Sequence, residues 1–331
     1  MTDEAGGPRV GIIGPPSDPQ VSLLARKIEE AGGRPAVLDV PGMPANAPFE
    51  IGRGRLVLGG VDLAEIGSAY VRQIGSWWPL PRSEFTADEW PAQRQVYEEY
   101  RVEEPWRVAL RQVLVWLLAR RVPVVNAPER NVLHWTKPAQ VWTLARRGHD
   151  VPATAAGNDR EALAGFLERQ GGRALYKPQA GYVYAKVLDA EALGCQEIGF
   201  CPLQLQRFVP GENLRVYVVG ERAIGAGVLL HDEGPDSRIG QQGVRVAQPP
   251  EAVLAAAVAA CRALGLEFSA VDFQWDCNRA ALLEANTSPM FAGFEEMTGI
   301  DVSGALARHL VERALSRKPV LHSSQQGRNL M

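Results

Sequence analysis

The sequence predicts a mixed fold, in which an open α/β domain precedes two α+β domains. The first 40 residues read as a strand, a turn-rich loop, a helix and a strand, which is the order of an open α/β unit. Residues 154–187 read as strand, helix, strand and return strand, which predicts a small α+β unit. Residues 214–230 and 268–285 each contain two apolar runs separated by turn residues, and each therefore predicts an antiparallel hairpin.

The elements of the first domain are read from short apolar runs and their stop signals. Residues 9–14 (RVGIIG) form the first strand, and residues 21–31 have helical spacing that ends at Gly32 and Gly33. The other elements expected here are strands at residues 35–40, 55–58, 69–74 and 122–125 and a helix at residues 106–120. The first loop, GIIGPP, lacks the GxGxxG pattern, so a dehydrogenase built on this domain is a poor hypothesis.

The remaining elements suggest where the domains divide. A helix is expected at residues 138–147, with proline in its first turn and Gly148 as its stop signal. Further helices are expected at residues 161–169, 250–264 and 301–314. We therefore expect an N-terminal domain at residues 1–125, a small central domain at 126–205, a C-terminal domain at 206–315 and a flexible tail at 316–331.

Composition limits the class of protein. A chain of 331 residues exceeds the size at which single cores stop growing, so more than one domain is expected. The net charge of −3 argues against nucleic acid or an anionic membrane as the main partner. The N-terminus has no secretory pattern, and no apolar run approaches the length of about 18 residues that spans a bilayer. Four scattered cysteines without a CxxC pair favour reduced thiols in a cytoplasmic protein.

The second hairpin, AVDFQWDCNRAALLEANTSPMF, contains three residues of the type that binds magnesium. Glu284 and Asn286 are two residues apart on one strand and so share a face. With the turn centred near Asn278, Asp272 lies opposite Glu284 on the facing strand. Two carboxylates and an amide oxygen form a hard-oxygen site, which suits Mg²⁺ and leaves positions for phosphate oxygens. The alternative is an exposed hairpin with two acids and a turn asparagine.

Several basic residues are candidates for contact with an anion. Lys137 directly precedes a helix, and Lys177 ends the apolar run ALYK before a glycine-containing loop, a common setting for a phosphate contact. Arg215 lies inside the apolar strand LRVYVV, where it needs an anionic ligand or an ion pair with a strand neighbour. Arg238 follows the loop HDEGPDS and either closes over a phosphate or is solvated.

Other catalytic chemistries lack support in the sequence. The five histidines show no metal-binding spacing, Cys261 lies on an apolar helix face, and Ser269 and Ser288 lack a GxSxG setting. Nucleophilic catalysis through an acyl-enzyme is therefore not expected.

Five segments together resemble the ATP-grasp superfamily, and within it the RimK-type carboxylate–amine ligases. They are VPVVNAPERNVLHWTKPAQVWTLARRG, ALYKPQAG, LQLQRFVPGENLRVYVVGERAIGAG, ALGLEFSAVDFQW and LLEANTSPMFAGFEEMTGIDVSGALARHL. The resemblance covers roughly residues 122–310. It implies an ATP-grasp fold, in which a small central and a C-terminal α+β domain hold ATP and an open α/β pre-grasp domain precedes them.

The resemblance also implies roles for individual residues. Lys137 and Lys177 contact the nucleotide phosphates, and Asn213 lies near the ribose or phosphates. Arg215 and Arg238 neutralise charge on the transferred phosphoryl group. Adenine is held by the interdomain segment Gln206, Arg207 and Phe208. Magnesium, as two ions and with Mn²⁺ as a substitute, is bound by Asp272, Glu284 and Asn286.

The implied chemistry is activation of a carboxylate by ATP. The carboxylate attacks the γ-phosphate to give an acyl phosphate and ADP, and an amine then displaces phosphate. This reaction depends on positioning and charge neutralisation, in agreement with the missing Ser, Cys or His constellation. The expected partners are ATP, a carboxylate substrate and an amino acid, peptide or protein acceptor, in a homo-oligomer by default.

The sequence departs from the family pattern at four places. The segment GYVYAKV after Lys177 has one glycine where the family usually has several, and Arg207 replaces an acidic residue. Asn213 replaces the usual aspartate, and the amide expected after Arg238 is missing.

Two alternatives to a general carboxylate–amine ligase remain open. One is an ATP-binding pseudoenzyme or regulatory module, which the departures favour. The other is a peptide-modifying macrocyclase that closes side-chain amides or esters. For such an enzyme the Trp-rich residues 76–106 are a candidate recognition surface, and Arg72 is a candidate contact for a substrate carboxylate.

Overall fold

The computed structural model describes residues 6–39, 49–52, 54–72, 108–134, 136–177, 185–195, 203–232, 234, 239–276 and 279–317. The chain divides into two compact units, Met1–Val125 with Ala307–Met331, and Asn126–Leu306. The finer division of the second unit at residue 206 stays a prediction. None of the helices in the described part of the chain is long and apolar enough to cross a membrane.

The described part of the first unit contains seven strands and two helices of its own. The strands are β1 (Arg9–Ile13), β2 (Arg34–Leu38), β3 (Phe49–Gly52), β4 (Arg55–Leu58), β5 (Val61–Asp62) and β6 (Ile66–Val71), followed after helix α2 (108–119) by the short strand β7 (Val124–Val125). The helix between β1 and β2 is α1 (Pro19–Glu30).

Four of these strands form a parallel sheet in the order β2-β1-β6-β7. Asp18 caps the start of helix α1, because its side chain accepts a hydrogen bond from the backbone of Gln20, and the helix buries Leu24 and Ile28. Strand, helix and parallel strand in this order confirm the predicted open α/β arrangement. The strands β3, β4 and β5 form a separate small antiparallel sheet.

The described part of the second unit contains two antiparallel sheets. Its helices are α3 (Pro128–Asn131), α4 (Lys137–Arg146), α5 (Arg160–Arg169), α6 (Ala190–Gly194), α7 (Glu251–Leu264) and α8 (Ala292–Thr298). Its strands are β8 (Thr154–Gly157), β9 (Ala174–Lys177), β10 (Lys186–Leu188), β11 (Leu203–Gln206), β12 (Glu212–Val219), β13 (Arg222–Leu230), β14 (Gly243–Ala247), β15 (Phe268–Trp275) and β16 (Ala280–Asn286). Helix α9 (Val302–Leu315) follows, and its residues from Ala307 belong to the first unit.

The smaller sheet has the order β10-β9-β11-β8. One of its faces packs on α5, because Leu205 meets Leu163 and Leu167 in a buried cluster. The alternate residues of β11, Gln204 and Gln206, are also buried although they are polar. This strand therefore places two amides on the sheet face away from its apolar core.

The larger sheet has the order β14-β13-β12-β15-β16. One face packs on the alanine-rich helix α7, with Leu214, Val216, Val271 and Phe273 in the buried cluster. Asn213, Arg215 and Asp272 occupy the alternate positions and therefore lie on the opposite face. This opposite face carries the polar residues predicted to do chemistry.

Candidate active site

The two acidic candidates face each other across β15 and β16, as the sequence predicts. Asp272 pairs with Glu284 and Ala270 with Asn286, so all three predicted metal ligands share one face of the hairpin. The register depends on a β-bulge: Phe273 pairs with Leu282, so Leu283 is an extra residue before Glu284. The bulge lets Leu282 face the core while Glu284, two residues later, faces the site.

Asp272 is held by two neighbours on the same face. Arg215 is its cross-strand partner and donates two hydrogen bonds, from Nε at 2.7 Å and from the second guanidinium nitrogen, Nη2, at 2.9 Å. Asn286 donates from Nδ2 to Oδ2 of Asp272 at 3.0 Å. Burial opposes a charge on Arg215, but the Asp272 carboxylate outweighs it and raises the pKa of Arg215. The ion-pair alternative for Arg215 is therefore the arrangement that the structure contains.

The negative charge of Glu284 is balanced by the two lysines that are predicted to bind phosphate. Nζ of Lys137 lies 2.6 Å from Oε2 of Glu284, and only 19% of the Glu284 side chain is exposed. Burial favours the neutral acid, but the charges of Lys137 and Lys177 outweigh burial and lower the pKa of Glu284 to about 2. Glu284 is therefore ionised at neutral pH, as a metal ligand must be.

The pKa of Glu284 predicts an acid-dependent loss of stability. Because the folded-state pKa lies below its ordinary value of 4.5, the stabilisation is complete above that value and is lost as the pH falls towards about 2. We expect the free energy of unfolding of the wild type, minus that of Glu284→Gln, to shrink between about pH 6 and about pH 3. Urea unfolding across this range tests the sign, and a difference that stays constant or grows with acid contradicts it.

Gln140 fixes the helix that carries Lys137. Its side chain is 1% exposed, donates to the carbonyl of Ala285 at 2.8 Å and accepts from the amide of Ala285 at 2.8 Å. Ala285 lies between Glu284 and Asn286 on β16, so this pair joins α4 to the strand that carries two predicted ligands. Lys137 and Gln140 are three residues apart on α4, a spacing that brings both to one side of the helix.

The predicted adenine-binding segment begins at the end of β11. Gln206 donates from Nε2 to Oγ1 of Thr154 at 3.1 Å, and its buried Oε1 has no hydrogen-bond partner. The amide of Arg207 donates to the carbonyl of Ala153 at 2.8 Å, and Phe208 is 53% exposed. Gln204 likewise has a buried Oε1 without a partner. An unpaired buried acceptor indicates a place for a hydrogen-bond donor of a ligand.

Asn213 has a partner that the sequence did not suggest. Its Nδ2 lies 2.6 Å from Nε2 of His231, and Nδ1 of His231 lies 2.7 Å from the carbonyl oxygen of Asp232. Asn213 precedes Arg215 by two residues on β12, so both lie on the same face of the sheet.

Three predicted features cannot be placed in this site. Arg238, the glycine-poor residues 181–184 and the Trp-rich residues 76–106 lie outside the described residues. Arg72 belongs to the first unit, where its Nε lies 2.8 Å from Oδ2 of Asp18. The roles of these residues stay predictions.

The residues present fit a magnesium ion. Asp272, Glu284 and Asn286 offer two carboxylates and an amide, which is a hard-oxygen donor set. Among the described residues no group of three His, Cys, Asp or Glu side chains could hold a metal. The third candidate ligand here is the amide of Asn286, whose Nδ2 donates to Asp272. The nearby cations, Arg215 and Lys137, are positioned to bind the negative charge that accompanies the ion.

Asn126 is a further site residue that the sequence did not identify. It is fully buried and donates from Nδ2 to the carbonyls of Phe268 and Thr287, both at 2.6 Å. Its Oδ1 accepts from the amides of Glu267 and Phe268. Asn126 therefore joins the ends of β15 and β16. Its only sequence signal is a polar residue directly after the strand VPVV.

Sequence comparison finds ligases among the curated relatives. The chain is 28% identical over 189 residues to a probable alpha-L-glutamate ligase of Picosynechococcus, a match that covers 53% of this chain and 62% of that protein. It is 30% identical over 181 residues to a probable alpha-L-glutamate ligase of Xanthomonas oryzae pv. oryzae, covering 50% of this chain and 61% of that protein. The chain thus spans less than two thirds of these curated relatives, and no family model matches it.

Structural comparison covers almost the whole chain. ATP-grasp ligase PsnB, solved with a minimal precursor, matches 93% of this chain and 99% of that chain at a TM-score of 0.77 and 24% identity. Macrocyclase MdnC of Microcystis aeruginosa, bound to precursor peptide MdnA, matches 92% and 99% at a TM-score of 0.72 and 18% identity. A RimK domain ATP-grasp protein of Sphaerobacter thermophilus matches 91% and 99% at a TM-score of 0.61 and 15% identity.

These comparisons confirm the predicted fold. The likeness in structure extends over both units, whereas the likeness in sequence to the glutamate ligases covers about half of the chain. The chain has the ATP-grasp fold, and its sequence resembles that of the RimK-like glutamate ligases.

Proposed function

We propose that this protein is an ATP-dependent ligase that activates a carboxylate as an acyl phosphate and joins it to an amine. The observation that carries the proposal is the pairing of Asp272 with Glu284 on one face of a hairpin, beside Lys137 and Arg215. A site of acids for magnesium, bordered by cations for phosphate, suits phosphoryl transfer.

In this proposal the nucleotide is bound by residues of both sheets of the second unit. Lys137 and Lys177 hold the phosphates. This is supported by their position near Glu284, where the charges of both lysines lower the pKa of its carboxyl group. Gln206 and the backbone around Arg207 and Phe208 hold adenine, which is supported by the unpaired Oε1 of Gln206. Adenine offers an amino group that can donate to such an acceptor.

Asp272, Glu284 and Asn286 would hold Mg²⁺, which when bound screens phosphate charge and orients the phosphate oxygens. The charges of the two carboxylates are already balanced by ion pairs, Glu284 with Lys137 and Asp272 with Arg215. Arg215 can also stabilise negative charge that develops on the transferred phosphoryl group, and we assign Arg238 the same role.

The proposed reaction has two steps. A carboxylate oxygen of the substrate attacks the γ-phosphorus, the bond to the bridging oxygen breaks, and ADP leaves. The amine nitrogen then attacks the acyl carbon, the bond from that carbon to the phosphate oxygen breaks, and phosphate leaves as the nitrogen loses a proton. The protein contributes orientation and charge neutralisation, so a side-chain nucleophile is not needed.

A second candidate is a peptide-modifying macrocyclase. The observation that favours it is the match to MdnC and PsnB over more than nine tenths of this chain, since both of those structures contain a precursor peptide. The substrate carboxylate then lies on a peptide, and the nucleophile is a side-chain amine or hydroxyl of the same peptide.

The finer predictions belong to the same proposal. A PsnB structure with magnesium and ADP supports ATP and Mg²⁺ as ligands of this fold. Two metal ions, Mn²⁺ as a substitute, a homo-oligomer and a cytoplasmic location stay predictions.

The test is release of ADP from ATP and Mg²⁺, screened over pooled amino acids, small peptides and acidic peptides. We expect ADP and phosphate to form in equal amounts only when a substrate is present. Mass spectrometry separates the two candidates, because macrocyclisation lowers the mass of the peptide by one water per bond, whereas ligation adds the mass of an acceptor less one water. Nucleotide binding without ADP release from any pool instead indicates either a specific peptide or protein substrate or the pseudoenzyme alternative.

A further inference from the structure

The hydrogen bonds of His231 determine which of its nitrogens carries the proton. Nδ1 lies 2.7 Å from the backbone carbonyl oxygen of Asp232, and a carbonyl oxygen only accepts hydrogen bonds. Nδ1 is therefore the donor. In the neutral ring Nε2 is then an acceptor with a free lone pair directed at its neighbour.

That neighbour is the side-chain amide of Asn213. Its Nδ2 lies 2.6 Å from Nε2 of His231, so the amide donates to the ring. An amide has its donor and acceptor on opposite arms, so holding Nδ2 at the ring turns Oδ1 away from it. His231 thus fixes Asn213 with its acceptor oxygen directed elsewhere.

The orientation matters because Asn213 and an aspartate differ in one respect. Both terminal atoms of a carboxylate are acceptor oxygens, whereas an amide has one acceptor oxygen and one donor NH2 group. An amide therefore offers an acceptor in a given direction only in one of its two orientations. Asn213 shares its sheet face with Arg215, two residues further along β12. An asparagine here therefore needs a partner if it is to offer an acceptor to a ligand on this face.

We propose that His231 is a positioning residue that orients Asn213, so that Oδ1 of Asn213 accepts a hydrogen bond from a ribose hydroxyl of the bound nucleotide. The inference rests on the proposed function. It selects ribose over the phosphates, because phosphate oxygens accept hydrogen bonds and cannot donate to Oδ1, whereas a ribose hydroxyl can.

The test compares ATP, 2′-deoxy-ATP and 3′-deoxy-ATP by calorimetry with Mg²⁺, for the wild type, His231→Ala, Asn213→Asp and the double variant. We expect the wild type to bind ATP about fivefold more tightly than at least one deoxy analogue. His231→Ala is expected to bind ATP about fivefold more weakly and to lose this discrimination. In the Asn213→Asp background the same substitution is expected to change neither, because a carboxylate needs no orientation.

A purely structural role for His231 predicts a different pattern. It would lower affinity by the same factor in both backgrounds and leave the discrimination between ATP and its deoxy analogues intact, and either result overturns the inference. If the wild type binds ATP, and His231→Ala binds each of the three nucleotides with the same affinity as the wild type, the inference fails while the proposed function stands. If the wild type binds no ATP, the proposed function itself fails.

Discussion

Replacing Glu284 by glutamine is expected to abolish substrate-dependent ADP release while the protein stays folded. Glutamine keeps the shape of the side chain but removes the charge that faces Lys137 at 2.6 Å and that would ligate magnesium. Mutation of residues that only support metal ligands lowers metal affinity or activity by about 10–100-fold. Loss of a ligand itself is therefore expected to lower turnover by more than about 100-fold.

Replacing Asp272 by asparagine is expected to reduce turnover by a similar factor and to cost more stability. Asp272 accepts two hydrogen bonds from Arg215, whose side chain is 24% exposed, so asparagine leaves a mostly buried guanidinium without its counter-charge. ADP release and the midpoint of thermal unfolding, measured on both variants, separate loss of chemistry from loss of fold.

The matched control is Glu221→Gln, which makes the same chemical change between β12 and β13. Glu221 has a side chain that is 79% exposed and a weak contact with Arg262 at 3.3 Å. We expect its turnover and unfolding midpoint to equal those of the wild type. The proposed magnesium site is wrong if Glu284→Gln and Asp272→Asn both retain the turnover of this control.

The hairpin shows how far the sequence predicts this site. Alternating apolar residues and a turn are local signals, so the pairing of Asp272 with Glu284 could be predicted from the sequence. The bulge at Leu283 could not, because a symmetric turn near Asn278 gives the same partners without one. In the structure, the turn is offset and the bulge restores the pairing.

Long-range polar contacts are the part of the site that the sequence did not reveal. Gln140 and Asn126 contact backbone groups about 140 residues away in the chain, at Ala285 and Phe268, and no periodicity marks such contacts. The partner of Asn213 was missed for a different reason: His231 is only 18 residues away, but it lies just beyond the end of the predicted hairpin 214–230. Such residues are identified by the burial of a polar side chain, and burial can be read only from the folded structure.

Asn126→Ala is expected to lower the free energy of unfolding of the second unit by about 4 kcal/mol. The substitution removes two donated and two accepted hydrogen bonds at a fully buried position and leaves backbone groups of Glu267, Phe268 and Thr287 without partners. Each such group costs about 1–3 kcal/mol when it stays buried, and partial entry of water reduces the sum. Urea unfolding followed by circular dichroism measures the change.

Two further variants show whether the hydrogen bonds of Asn126 are the cause. Asn126→Asp keeps the oxygen that accepts from the amides of Glu267 and Phe268 but cannot donate to the carbonyls of Phe268 and Thr287, so it is expected to destabilise at least as much as alanine. Asn131→Ala removes a single long hydrogen bond of 3.4 Å to the carbonyl of Asn126 and is expected to cost less than about 1 kcal/mol. Equal losses for Asn126→Ala and Asn131→Ala would contradict the argument. Because Asn126 joins the ends of β15 and β16, its loss is also expected to weaken nucleotide binding at the hairpin that carries Asp272 and Glu284.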